Sequence, residues 1–216
     1  MPKLLILVLG LLWAIQGGTS GVTEAHRLVK EVKGVQVDPQ PFEWKTSVTA
    51  PKTIDLVINP FFKVKMPKSC YELSPNGGGD DISESLGLVI ERLKKCPSYV
   101  GEEELPNFFT LTLTNWSTEN FDSVEKASVV NQVYRRTGKI NSYPAALMLS
   151  TDMNSKSKVV AYWHIYLQCK GNHFMIVGGF PSGQPSIDII RSRKFEIPQD
   201  FKDIILSFEC TGKNVK

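Results

Sequence analysis

Between residues 158 and 201 the hydrophobic and polar positions fall into three strand-like runs followed by one helix-like run. Over 159–169, Ala161, Trp163, Ile165 and Leu167 alternate with Tyr162, His164 and Tyr166. The two sets therefore point to opposite faces of a strand. Lys170-Gly171-Asn172 is a polar turn, 173–180 a second run, and 186–193 a third beyond the Pro/Gly-rich loop 181–185. This predicts an antiparallel meander. After Arg193 the period changes. Phe201, Ile204, Ile205 and Phe208 share one face at helical spacing, and Pro198 and Asp200 suit a first turn, so an amphipathic helix is expected over 198–208.

Upstream, Phe109, Leu111 and Leu113 alternate with Thr110, Thr112 and Thr114, the period of a half-buried strand. Residues 121–133 give one or two strands, 135–139 (RRTGK) a polar turn, 145–150 a strand and 151–158 a hydrophilic turn. Residues 86–93 read as a strand entered through Gly87; a helix over 83–95 is the rival, because Leu86, Ile90 and Leu93 also fit helical spacing. PNGGGDD, 75–81, breaks the chain. Residues 53–65 form one strand interrupted at Asn59-Pro60, and 21–66 otherwise carry scattered valines among charges and prolines. The expected fold is mainly β. About eight short antiparallel strands hide their edges by closing into an up-and-down barrel, with one C-terminal amphipathic helix and an N-terminal extension. The organisation read from this is a leader at 1–20, the extension at 21–69 and a barrel domain at 70–216.

Lys3, the apolar run 4–15 and the small residues that follow have the pattern of a secretory signal, and the run is short for a membrane span. A net charge of +3 offers no footprint for nucleic acid. Secretion implies an oxidising compartment, where Cys70, Cys96, Cys169 and Cys210 are expected to form two disulfides in one of three connectivities. Asn115-Trp116-Ser117 is an N-glycosylation sequon.

Few residues suggest chemistry. His26, His164 and His173 form no cluster with the cysteines, so neither a metal nor a cofactor is expected. His164 has no nucleophile or carboxylate at motif spacing and reads as a strand histidine with a local hydrogen bond. Gly-Phe-Pro-Ser-Gly around Ser182 is not a nucleophile elbow, and Gly77-Gly78-Gly79 has no phosphate-loop lysine. The pairs Arg135-Arg136 and Lys94-Lys95 read as solvated faces, too small for polybasic membrane binding. No enzyme is indicated.

The order of elements, and AYWHIYLQCKGNHFMIVGG with DIIRSRKFEIPQDFKDII in particular, resembles the lipocalin family, with an apolipoprotein D or Lazarillo-like flavour. YPAALMLSTD resembles the strand before the family's "YWVL" strand, and SLGLVIERLKKC its opening strand. The resemblance implies a secreted carrier that encloses a small hydrophobic ligand (a lipid, sterol, retinoid-like compound or pigment) in the barrel, and allows a cell-surface receptor as a further partner. Phe109, Leu111, Leu113, Leu147, Leu149, Trp163, Ile165 and Phe174 are the expected lining; a one-residue slip would put Tyr162, His164 and Tyr166 there instead. Gly87 and Arg193 take structural places at the closed end. Val89 stands where the family has a tryptophan, so Arg193 is expected to bond backbone carbonyls or a carboxylate near Gly87 rather than to stack on a ring. By resemblance the disulfides are Cys70–Cys169 and Cys96–Cys210. The alternative reading is a secreted protein-interaction module on the same scaffold, with a filled interior.

Overall fold

The computed structural model describes residues 35–45, 55–67, 69–76, 86–101, 107–114, 132–153, 159–180 and 186–211. The leader at 1–20, the sequon at Asn115 and the loop at 77–85 lie outside them.

The strands are β1 (Gln36–Trp44), β2 (Asp55–Ile58), β3 (Phe62–Met66), β4 (Tyr71–Asn76), β5 (Gly87–Arg92), β6 (Phe108–Thr114), β7 (Gln132–Ile140), β8 (Tyr143–Met153), β9 (Val159–Cys169), β10 (Asn172–Gly179) and β11 (Glu209–Cys210). Two helices, α1 (Ser186–Ser192) and α2 (Gln199–Leu206), lie between β10 and β11. Eight strands form one sheet in the order β1-β7-β8-β9-β10-β6-β5-β4, and β11-β3-β2 form a second, small sheet. The protein is mainly β, as its alternation predicts. The large sheet is antiparallel throughout except where β1 runs parallel to β7.

Two tight turns set the central meander. Asn141 and Ser142 (φ 48° and 76°) join β7 to β8, and Lys170 and Gly171 (φ 50° and 82°) join β9 to β10. Two consecutive positive φ values twist a two-residue hairpin to match its strands. The first of these turns corrects the expected turn at 135–139. Those residues lie within β7, hydrogen-bonded to β8 on one side and β1 on the other. Arg136 is held there because its Nε donates to the Gln40 carbonyl at 2.6 Å, beside Asp38 at 3.7 Å.

Among the described residues the large sheet is not closed into a barrel: β10 pairs with β6 at the centre, and β1 and β4 stand at its two ends. An up-and-down order would have put β6 beside β7. Residues 186–193, read as a strand, form α1, where the adjacent Ile189 and Ile190 are both buried. Strict alternation would have exposed one of them. The core does not begin at residue 70, because Phe42, Phe62, Val64 and Met66 belong to the same buried cluster as Trp163 and Phe201. The strand 53–65 interrupted at Asn59-Pro60 is a β2–β3 hairpin. Asn59 turns it by accepting the Phe61 N–H on Oδ1 while its own N–H donates to the Phe62 carbonyl.

The core lies on one face of the large sheet, under α1, α2 and β3. Trp163 is fully buried and its indole N–H donates to the Gly179 carbonyl at 3.1 Å. Gly178 faces its ring, and a Cβ there would overlap the indole. From α2, Phe201 meets Phe109 edge-on at 4.8 Å and Trp163 at 6.5 Å. Phe208, just beyond the helix, packs on Phe62 and Phe174 at 5.7 and 5.0 Å.

The disulfides are Cys70–Cys96 and Cys169–Cys210, with Cα separations of 4.8 and 6.3 Å, not the pairs that the lipocalin resemblance implies. The reason is local. Tyr71 is the register partner of Arg92, and the Leu93 N–H donates to the Cys70 carbonyl, so the two cysteines flank one end of the β4–β5 hairpin. The expected opening strand is thus the second strand of a hairpin. Cys210 on β11 reaches the end of β9, where the Lys170 ammonium also donates to its carbonyl. Non-reducing peptide mapping of the protein is expected to find these two pairs. Closing loops of 26 and 41 residues, each should be worth about 3–4 kcal/mol by the chain-entropy account. Recovery of a Cys96–Cys210 peptide would contradict this topology.

Candidate functional site

The eight residues expected to line a cup all point to the helix-covered side. Phe109, Leu111, Leu113, Leu149, Trp163, Ile165 and Phe174 are members of the buried core and Leu147 packs against it. They form a packed interior in which α1, α2 and β3 occupy the place expected for a ligand. The register pairs Trp163 with Leu149 and Gly178, and Ile165 with Leu147 and Ile176, so the parity of these strands is fixed. What the sequence left open was the side on which the helix would sit.

The other parity builds a second face of different composition. One row across it runs Arg135, Met148, His164, Val177, Thr110 and Val89, from β7 to β5. The neighbouring row runs Thr137, Ala146, Tyr166, Met175 and Thr112. Ala146, Met148 and Tyr166 form a separate buried cluster against which Met175 packs. Met148 is 1% exposed and Tyr166 3%, values of a protein interior rather than of a solvated strand face. This face holds the alternative set Tyr162, His164 and Tyr166.

The polar groups of this face are few and sheltered. Ser150 Oγ and His164 Nε2 share a hydrogen bond of 2.6 Å between β8 and β9. The other ring nitrogen of His164, Nδ1, is buried and finds no hydrogen-bond partner among the described residues. Burial lowers the imidazole from its ordinary value of 6.5 to about 4, so it is neutral at physiological pH. His173, on β10 near the hairpin turn, is also buried, has an unpartnered Nε2, and is lowered by the same cause. The local hydrogen bond expected for His164 is present. Among the described residues no group of three or more His, Cys, Asp or Glu side chains is arranged to hold a metal ion.

Residues not singled out as functional from the sequence form the strongest polar cluster, on the core side. Arg92 of β5 is 2% exposed and grips Asp200 of α2 with Nε to Oδ2 at 2.7 Å and Nη2 to Oδ1 at 2.6 Å. Tyr71 and Ser98 donate to the same carboxylate at 2.5 and 2.8 Å. The guanidinium lies 3.7 Å from the centroid of the Phe201 ring. Burial alone would raise the Asp200 carboxyl, but the bonds from Arg92, Tyr71 and Ser98 outweigh it and hold the group below the usual carboxylate range. Burial and the bond to Asp200 push the Tyr71 phenol up. A readable signal existed: Leu88, Ile90 and Arg92 share one parity, which places a cation on a buried face where it must be paired. The cluster closes the end of the β4–β5 hairpin onto α2 and is structural.

Arg193 bonds a backbone carbonyl, its Nε donating to Val133 at 3.2 Å. Val133 belongs to β7, whereas Gly87 is on β5, five strands away in sheet order. Among the described residues the ring-stacked arginine is Arg92. Gly87 is needed for a different reason: a Cβ would overlap the backbone of Leu111 and Thr112 on β6.

No family model matches the chain, and no curated protein matches it. Among solved structures, a crystal structure from Bacteroides thetaiotaomicron is similar with a TM-score of 0.41 and 10% identity, over 71% of this chain and 47% of that one. The chain thus spans about half the length of that structure.

Two outcomes are expected from these clusters. Asp200→Ala leaves the Arg92 guanidinium buried without its carboxylate and should cost about 3–5 kcal/mol in denaturant unfolding; a loss below 1 kcal/mol would show that Arg92 is not held by this pair. The second concerns acid. A depressed histidine is neutral in both states above pH 6.5, while between 6.5 and 4 only the unfolded chain takes up the proton. Stability should therefore fall as pH drops through that window, by up to about 3 kcal/mol from His164. The Asp200 contribution is lost only below its ordinary value of 3.8. His164→Gln should flatten the decline between pH 6.5 and 4 in urea melts, leaving the smaller part owed to His173. An unchanged slope would locate the acid sensitivity elsewhere.

Proposed function

We propose that this protein is a secreted, non-enzymatic binder of a small hydrophobic molecule, held against the second face of the large sheet rather than against the face under the helices. The observation that carries this reading is the composition of that face. Met148, Met175, Tyr166 and Ala146 supply sheltered apolar and aromatic surface, and a small number of polar groups, led by His164 with Ser150, interrupt it. Ligand sites have this make-up, mostly apolar with a few orienting polar atoms. Methionine adapts its shape to a ligand more readily than branched side chains do. Neutral histidines suit an uncharged environment. Association then rests on apolar surface leaving water and involves no covalent step. The expected secretory leader, two disulfides and the absence, among the described residues, of a helix long and apolar enough to cross a membrane are compatible with an extracellular place of action. The lipocalin likeness is the finer form of this reading, on a sheet that stands open between β1 and β4 among the described residues.

The packing of Phe109, Trp163, Phe174 and Phe201 favours one other reading. If the protein's one large interior is the filled one, its surface does the work, and it is a secreted interaction module that meets a receptor rather than a lipid.

Native mass spectrometry of protein from secreting cells separates the two. The carrier reading expects a bound small molecule and saturable binding of Nile red. It also expects Val177→Trp, at a half-buried position in the His164 row, to weaken that binding about tenfold or more with little change in melting temperature. Protein free of any small molecule, with no saturable dye binding below about 10 μM, would leave the interaction module as the reading to pursue.

A further inference from the structure

Not every buried polar atom of the large sheet is matched among the described residues: Thr151 Oγ1 on the core parity has no partner, and neither does one ring nitrogen on the other face. On the core face Trp163 donates its one N–H, and Arg92 and Asp200 satisfy one another. On the second face His164 Nδ1 is buried and finds no partner among the described residues, although Ser150 fixes the opposite side of its ring. A buried polar atom without a partner is costly and rare in a folded chain. One that sits mid-strand, with its ring already oriented, is arranged for something that arrives later.

We infer that His164, oriented by Ser150, is the polar anchor of the ligand site and selects a neutral ligand whose apolar body carries a hydroxyl group. This rests on the carrier reading given above and names its ligand class. The Ser150 hydroxyl can either donate to or accept from Nε2, so Nδ1 can present an N–H or a lone pair. A ligand hydroxyl can meet either state, since it both donates and accepts. A hydrocarbon would meet neither. A carboxylate would have to be buried with a counter-charge. The cation on the same row, Arg135, lies one strand beyond Met148, two strands away from His164, and has an interaction of its own.

The position of the anchor also orients the ligand. His164 pairs with Met148 on one side and Val177 on the other, both apolar. Towards the β9–β10 turn the same face offers Tyr166, Met175 and Ala146, and then His173. His173 lies four residues before Val177 on β10, about 13 Å along the strand. The ligand's apolar body therefore runs from His164 over Tyr166 and Met175 towards the turn. The second unpartnered nitrogen, His173 Nε2, stands at the far end of that path.

Displacement of Nile red by 1-dodecanol, dodecane and dodecanoate tests this on the full secreted chain. The anchor predicts that 1-dodecanol competes about tenfold better than dodecane, the worth of one buried hydrogen bond that would otherwise go unmade, and better than dodecanoate at pH 7.4. His164→Phe should bring the alcohol and the hydrocarbon to within threefold of one another while dodecane binding persists. His164→Gln, which keeps a donor and an acceptor, should restore part of the preference. Equal competition by all three compounds in the wild type, or a preference for dodecanoate, overturns the anchor and leaves the carrier reading standing. Failure of Nile red and all three compounds to bind overturns both. Should His164→Phe fail to fold, the wild-type ranking and the His164→Gln variant decide.

Discussion

Phe201 is the contact on which the rest of this structure depends. It is fully buried, and four elements meet on it: Phe109 from β6, Trp163 from β9, Tyr71 from β4 and the Arg92 guanidinium from β5. Burying a phenylalanine is worth about 1.5–3 kcal/mol, and oriented ring pairs and a desolvated cation add to that. The residue before it, Asp200, makes the ion pair that fixes Arg92 over the ring. One turn of α2 thus supplies both the apolar wedge and its electrostatic latch. A sheet with two unjoined ends needs such a device. Its strands β4, β5 and β6 would otherwise be tied to the central meander only by the β6–β10 ladder.

The elements were legible in the sequence where periodicity is local. The alternation in 109–113, 159–169 and 173–180, the strand entered at Gly87 and the helix from Pro198 all correspond to described elements. The failures share one cause, which is that pairing between distant segments leaves no local period. Arg135 to Lys139 looks like a turn because its side chains are polar, yet its backbone is claimed by β1 from a segment nearly a hundred residues earlier. The Ile189-Ile190 doublet in α1 resembles a strand end until the sheet is seen to be covered from that side. The disulfide pairs implied by the family resemblance miss the β4–β5 register, which brings Cys70 and Cys96 together.

The segment read as an extension is part of the core for a related reason. Phe62, Val64 and Met66 lie on one side of a five-residue strand, and that side is buried against Phe174 and Phe208. A short hairpin of lysines and apolar residues carries little signal by itself. Its partner, β11, is only two residues long and lies about 150 residues later. The Cys169–Cys210 bond ties that partner to the end of β9.

The candidate site turned on parity, and here the sequence held more than its alternation. Along β9 and its neighbours one parity carries Trp163, Phe109, Phe174, Ile165 and Leu111; the other carries Tyr162, His164, Tyr166, Met148, Met175 and three threonines of β6. Large rigid apolar groups are what a fixed helix needs beneath it, because they pack once and stay. Mixed groups, with methionines that adapt and hydroxyls and imidazoles that can bond, are what an exchangeable occupant needs. A cup for an apolar ligand and a covering helix both call for the more apolar parity. The helix competes for the same surface with a connected Phe201, Ile204 and Ile205, at no cost of bimolecular association. It therefore takes the most apolar face. The ligand proposed above is left the other face, where the His164 Nδ1 atom is buried without a partner among the described residues.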